Sequence, residues 1–467
     1  MDWVISCALS SILASAFTTI TPTTRVPANP LNRKILNLAI PNIISNLSVP
    51  LLGAVDTALV GHLEEAYYLG AIAVGSMIFN FIFWGFGFLR MGTTGLTAQA
   101  FGEKNKSDSV MTLARALTVA GIFGILIVLL QAWIADLSFW LVEASPEVER
   151  YTRIYFEIRI FTAPATLCLY AINGWFLGMQ NARYPMIVTI FLNALNIGLD
   201  VFFVYSMGMT VDGVATGTLI ARYAGLILAI ILLVYKYHDW LSGYVHDLLL
   251  EIEAIKKFFS VNRDIFIRTL CLIFTFSFFT AKSAEFGNVV LAANSILLQL
   301  WMIVSYGIDG FAYAAESLIG RYTGSNQQKR VNLAVKYCFI WGTGIGVMAS
   351  AVYAIFDVQI MQIFTNQQDV IDTAMVYFLW TIAGPTVSSF SYIWDGIFIG
   401  ATATGPMRDS MIIATLVIFL PAYAIGVHYL GNHALWLAMT LFMLARGATL
   451  TFFAPKHILK TSFLQKA

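Results

Sequence analysis

About twelve apolar runs of roughly twenty residues or more follow one another along this chain. The first lies near residues 35–60 and the last near 433–453. At the helical rise of about 1.5 Å per residue, each is long enough to cross a bilayer. Lipid offers no partner for a free backbone N–H or C=O, so such runs cross as helices. Only 11% of the 467 residues are charged and mean hydropathy is +0.76, whereas a soluble domain carries about 25% charge. The fold class is therefore all-α, polytopic and membrane-embedded.

Composition also removes several functions. A net charge of +1 offers no electrostatic case for nucleic acid. Cys7, Cys168, Cys271 and Cys338 sit in apolar runs without paired spacing; they read as free thiols. The six histidines are scattered. With no His cluster, Ser/Lys pair or metal constellation, no enzyme and no resident cofactor is expected. Residues 1–20 are apolar and contain Ala14-Ser15-Ala16, but Asp2 stands where a signal peptide carries basic residues. Residues 1–32 are read as a loose extension, ahead of a targeting segment or an extra helix.

Basic residues set the expected orientation, because short cytoplasmic loops collect Lys and Arg. Arg33 and Lys34 precede the first run; Lys104 and Lys106 follow the second; Arg183 follows the fourth. Lys236, Lys256, Lys257 and Arg263 flank the long connection after the sixth, Arg321, Lys329 and Arg330 follow the eighth, and Arg408 follows the tenth. Alternate loops hold Glu64, Glu65, Glu143, Glu147 and Asp369. Both termini should be cytoplasmic. The polar connection 237–262 should carry a short interfacial helix with Leu248, Ile252, Ile255 and Phe259 on one face. It divides a first lobe, 33–236, from a second, 263–454, with a cytoplasmic tail at 455–467.

The two halves repeat at an offset of 222 residues. Leu69 aligns with Leu291, Ala71 with Ala293 and Gly102 with Gly324. Asn173-Gly174-Trp175-Phe176-Leu177-Gly178 aligns with Asp395-Gly396-Ile397-Phe398-Ile399-Gly400, and Thr218-Leu219 with Thr440-Leu441. Six spans is an even number, so the repeats run parallel, about an axis along the membrane normal. Two such bundles around a cleft suit rocking-type alternating access.

Acids inside the spans interrupt the symmetry. Asp56 faces Phe278 and Asp200 faces Ala422, while Asp309 faces Gly87 and Asp395 faces Asn173. An intramembrane charge carries a free-energy penalty and points to function. Asp56 lies about 9 Å before His62, Asp200 about 12 Å before Gly208 and Thr218 about 9 Å after Asp212, which puts all three in one layer. Asn193, Asn196 and Asp200 share a helix face. Carboxylate, amide and hydroxyl oxygens suit a hard cation such as sodium, held at Asp56 and Asp200. Burial and a like neighbour favour a neutral carboxyl, so the same pair suits a proton. The bland alternative is that Asp200 caps a kink and Asp56 bonds neighbouring helices. Arg268, Asp309 and Asp395 form a second layer, read either as a coupling or substrate-facing network or as a neutralised structural cluster. Arg90 and Glu316 are assigned structural roles. Trp301, Tyr306, Tyr392 and Trp394 share helices with these acids and are candidate faces for flat organic cations.

The stretches PNIISNLSVPLLGAVDTALVGHL, FLRMGTTGLTAQAFG, LNALNIGLD, DGFAYAAES, WDGIFIGAT and LGNHALWLA run from about Ile35 to Arg446. On these the chain resembles the multidrug and toxic compound extrusion (MATE) family, most closely its DinF-like branch. The resemblance implies twelve helices in two pseudo-symmetric six-helix lobes around a V-shaped cavity. It implies export of organic, cationic or amphipathic compounds against protons or sodium. It also implies an ion site at Asp56, Asn196, Asp200 and Thr218, and a first helix able to bend at Pro41. A flippase of lipid-linked precursors is the alternative; it would need a basic central cavity. The expected setting is the inner (plasma) membrane, with small organic substrates and the lipid bilayer as partners and one chain as the functional unit.

Overall fold

The computed structural model describes residues 28–60, 65–142 and 144–459. The expectation for residues 1–20 lies outside the described residues. Among those described, twelve spans are long and apolar enough to cross a bilayer. They are α1 (Ala28–Val60), α2 (Tyr67–Glu103), α3 (Lys106–Leu129), α4 (Pro146–Gly178), α5 (Arg183–Ser206) and α6 (Val211–Leu241). Then come α7 (Ile252–Ala284), α8 (Asn288–Gly324), α9 (Gln328–Ile355), α10 (Gln368–Gly400), α11 (Thr404–Leu430) and α12 (His433–Leu459). Short helices Gln131–Leu141 and Asp357–Phe364 follow α3 and α9. Trp133 and Trp140 are exposed on the first of these, as suits an interfacial helix.

Packing repeats between the halves. In the first lobe α1 packs on α5, α2 on α4, α3 on α4, α4 on α6 and α5 on α6. In the second, α7 packs on α11, α8 on α10, α9 on α10, α10 on α12 and α11 on α12. Each contact is the other's image at six spans' distance. Even the backbone strain repeats. Among the described residues the four non-glycine ones with positive φ are Lys104, Gln180, Asn326 and Thr402, two pairs at the 222-residue offset. Each ends a helix with a Schellman-type bond: Asn105 N–H to Ala100 O, Asn181 to Phe176, Gln327 to Tyr322 and Ala403 to Phe398, all 2.9 Å.

The lobes meet around α2 and α8. A Cβ on Gly102 would stand 2.1 Å from Arg321 O, and one on Gly324 would stand 2.1 Å from Gln99 O. The sequence repeat paired these two glycines; in space each lets its helix reach the other's backbone, the usual use of small residues between membrane helices. Arg90 and Glu316 bridge the lobes through bonds of 3.0 and 3.3 Å. Gln99 Nε2 donates to Thr402 Oγ1 at 3.0 Å, Gln180 Nε2 to Ser317 Oγ at 2.6 Å and Asn46 Nδ2 to Tyr306 O at 3.2 Å. Among the described residues such cross-lobe bonds lie between mid-membrane and the face where α1 begins and α12 ends, here the terminal face. The half of α2 nearer that face, Phe88–Glu103, packs on α7, α8 and α10, whereas Ala66–Gly85 packs on the second lobe at α7. The lobes are thus joined at the terminal face.

Helix continues past the expected limits at the connection and at the tail. Helix α6 is kinked at Tyr237 (φ −122°, ψ 20°), the expected start of the connection, and runs on to Leu241; α7 begins at Ile252, so the non-helical stretch is 242–251. It contains a single 3₁₀ turn, His246–Leu248. Ile252, Ile255 and Phe259 form the first turns of α7 rather than a separate interfacial helix. No Gly or Pro interrupts 252–284, so their helical period runs straight into the span. Buried Arg115 of α3 holds the connection, donating to the carbonyls of Leu248 and Leu249. At the other end α12 continues helically to Leu459, into the expected tail.

Gly324→Ala is expected to lower the thermal midpoint of the purified protein, by overpacking on the order of 1–3 kcal/mol. Gly121→Ala, whose Cβ would meet nothing within 4 Å, should leave it unchanged or raise it.

Candidate functional site

Helices α5 and α6 place Asn196, Asp200 and Thr218 together. Asn196 and Asp200 are one helical turn apart, and Asn196 Nδ2 donates to Asp200 Oδ2 at 2.9 Å. The same amide reaches Thr218 Oγ1 at 3.5 Å. All three side chains are buried, Asp200 completely. Gly217 makes the arrangement fit: a Cβ there would lie 2.2 Å from Asp200 Oδ1. Sequence reading passed over Gly217. Its only signal was a glycine beside the candidate Thr218, at a height matching Asp200. Below Asp200, α5 ends in a π-helical turn, Phe202–Ser206, a distortion often found at functional sites.

Helix α1 passes beside this cluster. Asn193 Nδ2 donates to Ser48 Oγ at 3.0 Å and to Ser48 O at 3.2 Å, tying α5 to α1. Pro41 lies inside an unbroken helix, and so does Pro50. The two prolines remove the backbone bonds that the carbonyls of Asn37 and Asn46 would otherwise accept. Ser45 Oγ bonds Pro41 O at 3.0 Å and Asn42 Nδ2 bonds Leu38 O at 2.8 Å, local bonds of the kind that soften a helix. Pro50, unremarked in the sequence, stands six residues before Asp56. Asp56 belongs to α1, but its side chain lies outside the described residues.

The second lobe holds a different cluster. Arg268 of α7 and Asp395 of α10 form an ion pair. Arg446 of α12 donates to the same Asp395 oxygen at 2.6 Å. Its guanidinium also lies over the rings of Phe442 and Tyr392, at 5.3 and 5.8 Å. Arg446 is fully buried and was missed as a site residue, although an arginine inside MTLFMLARGATL is itself a signal. Asp309 departs from the expected network: among the described residues it makes no ion pair or hydrogen bond. It lies half-buried within electrostatic reach of Arg268, Arg90, Asp395 and Glu316.

The four aromatics also divide. Trp301 is buried against Trp436, ring centroids 6.2 Å apart, and over Gly384. Trp394 is buried, with Nε1 donating to Thr451 Oγ1 at 2.8 Å. Tyr392 is buried beneath Arg446. These three are second-lobe core here, not open faces for a cation, because large rings fill a core. Tyr306 alone is half-buried, at the lobe junction.

Two parallel six-span bundles, joined at one face and carrying buried intramembrane acids, have the architecture of a secondary transporter. The MatE family profile matches residues 41–202 and 265–424. The chain belongs to this family of membrane transporters and is not an enzyme. It is 38% identical over 429 residues to DNA damage-inducible protein F of Escherichia coli (strain K12), covering 91% of this chain and 92% of that one. It is 24% identical to Protein DETOXIFICATION 44, chloroplastic, of Arabidopsis thaliana, over 89% of this chain and 81% of that one. Its fold matches a solved structure described as the outward-facing conformation of a multidrug resistance MATE family transporter, with a TM-score of 0.84. That match is 20% identical and covers 96% of this chain and all of the other. A MOP superfamily transporter from Pyrococcus furiosus matches with a TM-score of 0.85, at the same identity and coverage.

One carboxylate between two arginines gives an unequal response to mutation. Asp395→Asn leaves two buried guanidinium groups facing each other and should destabilise by about 3–5 kcal/mol. Arg446→Met leaves a one-to-one pair and should cost clearly less. Chemical or thermal unfolding of the two purified variants distinguishes them; equal losses would contradict the cluster as described.

Proposed function

We propose that this chain is a secondary active antiporter that exports organic cationic or amphipathic compounds in exchange for protons or sodium. The observation that carries the reading is the buried Asn196–Asp200–Thr218 constellation, bonded across α5 and α6 and reached by α1. A completely buried carboxylate in an apolar bundle is a ready receiver of a small cation. Its amide and hydroxyl neighbours are hard oxygen and nitrogen groups of the kind that fix such a carboxylate. Asp56, farther along α1, completes the coupling site. Protonation or sodium binding removes charge from the layer between α1 and α5 and changes how α1 packs. Pro41 and Pro50 let α1 bend in response.

The loops rich in Lys and Arg orient the terminal face, and both termini, toward the cytoplasm of the inner (plasma) membrane. The lobes, joined there, then form the outward-facing state. Substrate is released outward as the ion enters, and a single chain carries the full pathway. Asp309 is the substrate-facing anion of the second lobe, since its charge is not taken up by an ion pair. Names among the relatives agree with efflux: probable multidrug resistance protein NorM of Acinetobacter baylyi is 22% identical over 87% of this chain. The flippase alternative needs a basic cavity, and the mid-membrane arginines Arg268 and Arg446 are buried on Asp395 instead.

Purified protein in liposomes, loaded with a fluorescent organic cation, tests this under separately imposed pH and sodium gradients. Export should follow one gradient and not the other. Asp200→Asn should abolish the gradient-driven part, and Gly217→Ala should weaken the half-saturating ion concentration roughly tenfold, as overpacking of 1–3 kcal/mol implies. Full gradient-driven export by Asp200→Asn would sink the assignment.

A further inference from the structure

A cavity of about 310 Å³ opens at the terminal face between the two lobes. Lys34 and Asn37 of α1, the turn Gln180–Arg183 between α4 and α5, and Arg321 of α8 line it. Three of these residues are cations, and no acid is among the lining. Among the described residues none of Lys34, Arg183 and Arg321 makes an ion pair or side-chain hydrogen bond. Arg321 is steadied over the Phe101 ring, 5.3 Å away, and Arg330 adds a fourth positive charge within reach of Lys34.

The cavity is built rather than incidental. Gln180 has φ +64° and turns the chain back toward α8, where its amide is fixed on Ser317 at 2.6 Å. Asn181 is fixed at both ends: its oxygen accepts the N–H groups of Arg183 and Tyr184, and its amide donates to the Tyr237 hydroxyl at 3.1 Å. Internal symmetry separates this site from a general basic face. At the 222-residue offset Arg321 corresponds to Gln99, and Arg183 to Gly405. Gln99 itself is spent on a bond to Thr402 at 3.0 Å. Lys34 has a counterpart in Lys256, but the two arginines occur in one lobe only.

We propose that this cavity binds a phosphate group, held by Lys34, Arg183 and Arg321. Guanidinium forks match phosphate oxygens two at a time, and a lysine adds a point charge. The walls belong to both lobes, so the occupant favours the state in which the terminal face is joined. Two sources share the chemistry: a phospholipid headgroup at the bilayer edge and a free phosphate.

Thermal unfolding of the full chain in neutral detergent tests the site without any transport reading. The probes are dioctanoyl phosphatidylglycerol, dioctanoyl phosphatidylcholine and inorganic phosphate. Wild type should show a saturable rise in midpoint with phosphatidylglycerol. Arg183→Gln and Arg321→Gln should need about tenfold more for half-saturation, the loss of one charge-assisted contact. Arg183→Lys should keep part of the response, and exposed Lys106→Gln all of it. A response to phosphatidylglycerol alone assigns a lipid headgroup; an equal response to inorganic phosphate assigns the free ion. Absence of saturation, an equal effect of phosphatidylcholine, or an equal loss in Lys106→Gln would overturn the proposal. Failure here leaves the antiporter reading untouched, because no ion gradient or substrate enters the measurement.

Discussion

The molecule turns on the approach of two backbones, those of α2 and α8, across the pseudo-twofold axis. Gly102 and Gly324 each lack the Cβ that would collide with a carbonyl of the opposite lobe. Helices that close exchange many weak contacts and a few strong bonds, and they resist sliding. The Arg90–Glu316 pair adds a bidentate link within the same contact, with Arg90 stacked 4.0 Å from the Tyr313 ring centroid. Both lobes hang from this joint. Because it lies toward the terminal face, any opening there must break it, and any opening at the other face can leave it intact.

Each lobe hides charge in its own way. The first lobe buries Asp200 among an amide, a hydroxyl and a glycine. The second sets Asp395 between Arg268 and Arg446, an arrangement in which the ionised acid is required to separate two cations. The triad ties three helices together through charge, whereas Asp200 is met by the neutral amide of Asn196. That difference fits the proposal that ion exchange belongs to the first lobe, with Asp309 the proposed substrate-facing acid of the second.

Much of this was legible in the sequence because membrane folding leaves few alternatives. Twelve apolar runs give twelve spans, and the 222-residue repeat recurs in packing, helix caps and positive-φ residues. Asn196 and Asp200 share a face by helical period and Thr218 lies in their layer by helical rise, while the grouping of the three as one site came from the family resemblance. Other features were not legible. Gly217 matters only through its neighbour on another helix. Arg446 needed a partner 51 residues away, and the tie between Arg115 and the connection spans more than a hundred. The Trp301 and Trp394 side chains illustrate the opposite error: sharing a helix with an acid says nothing about which way a ring points, and both point into the core. The boundary at Ile252 was misplaced because charge in a helix's first turns was read as a break in the helix.

Asymmetry within a symmetric frame is the most informative feature of such a chain. Positions alike in both lobes, such as the glycines at 102 and 324 or the αL residues at 104 and 326, answer demands that both bundles share. Positions unlike at the same offset answer demands of one place only. By that criterion Asp200 opposite Ala422, Asp395 opposite Asn173 and Arg321 opposite Gln99 belong together, although one is set in an amide cluster, one in an ion triad and one at a cavity wall. Duplication supplies two like lobes; in the proposed antiporter, only residues that break the likeness can make the movement of the lobes depend on an ion, a substrate or a bound anion.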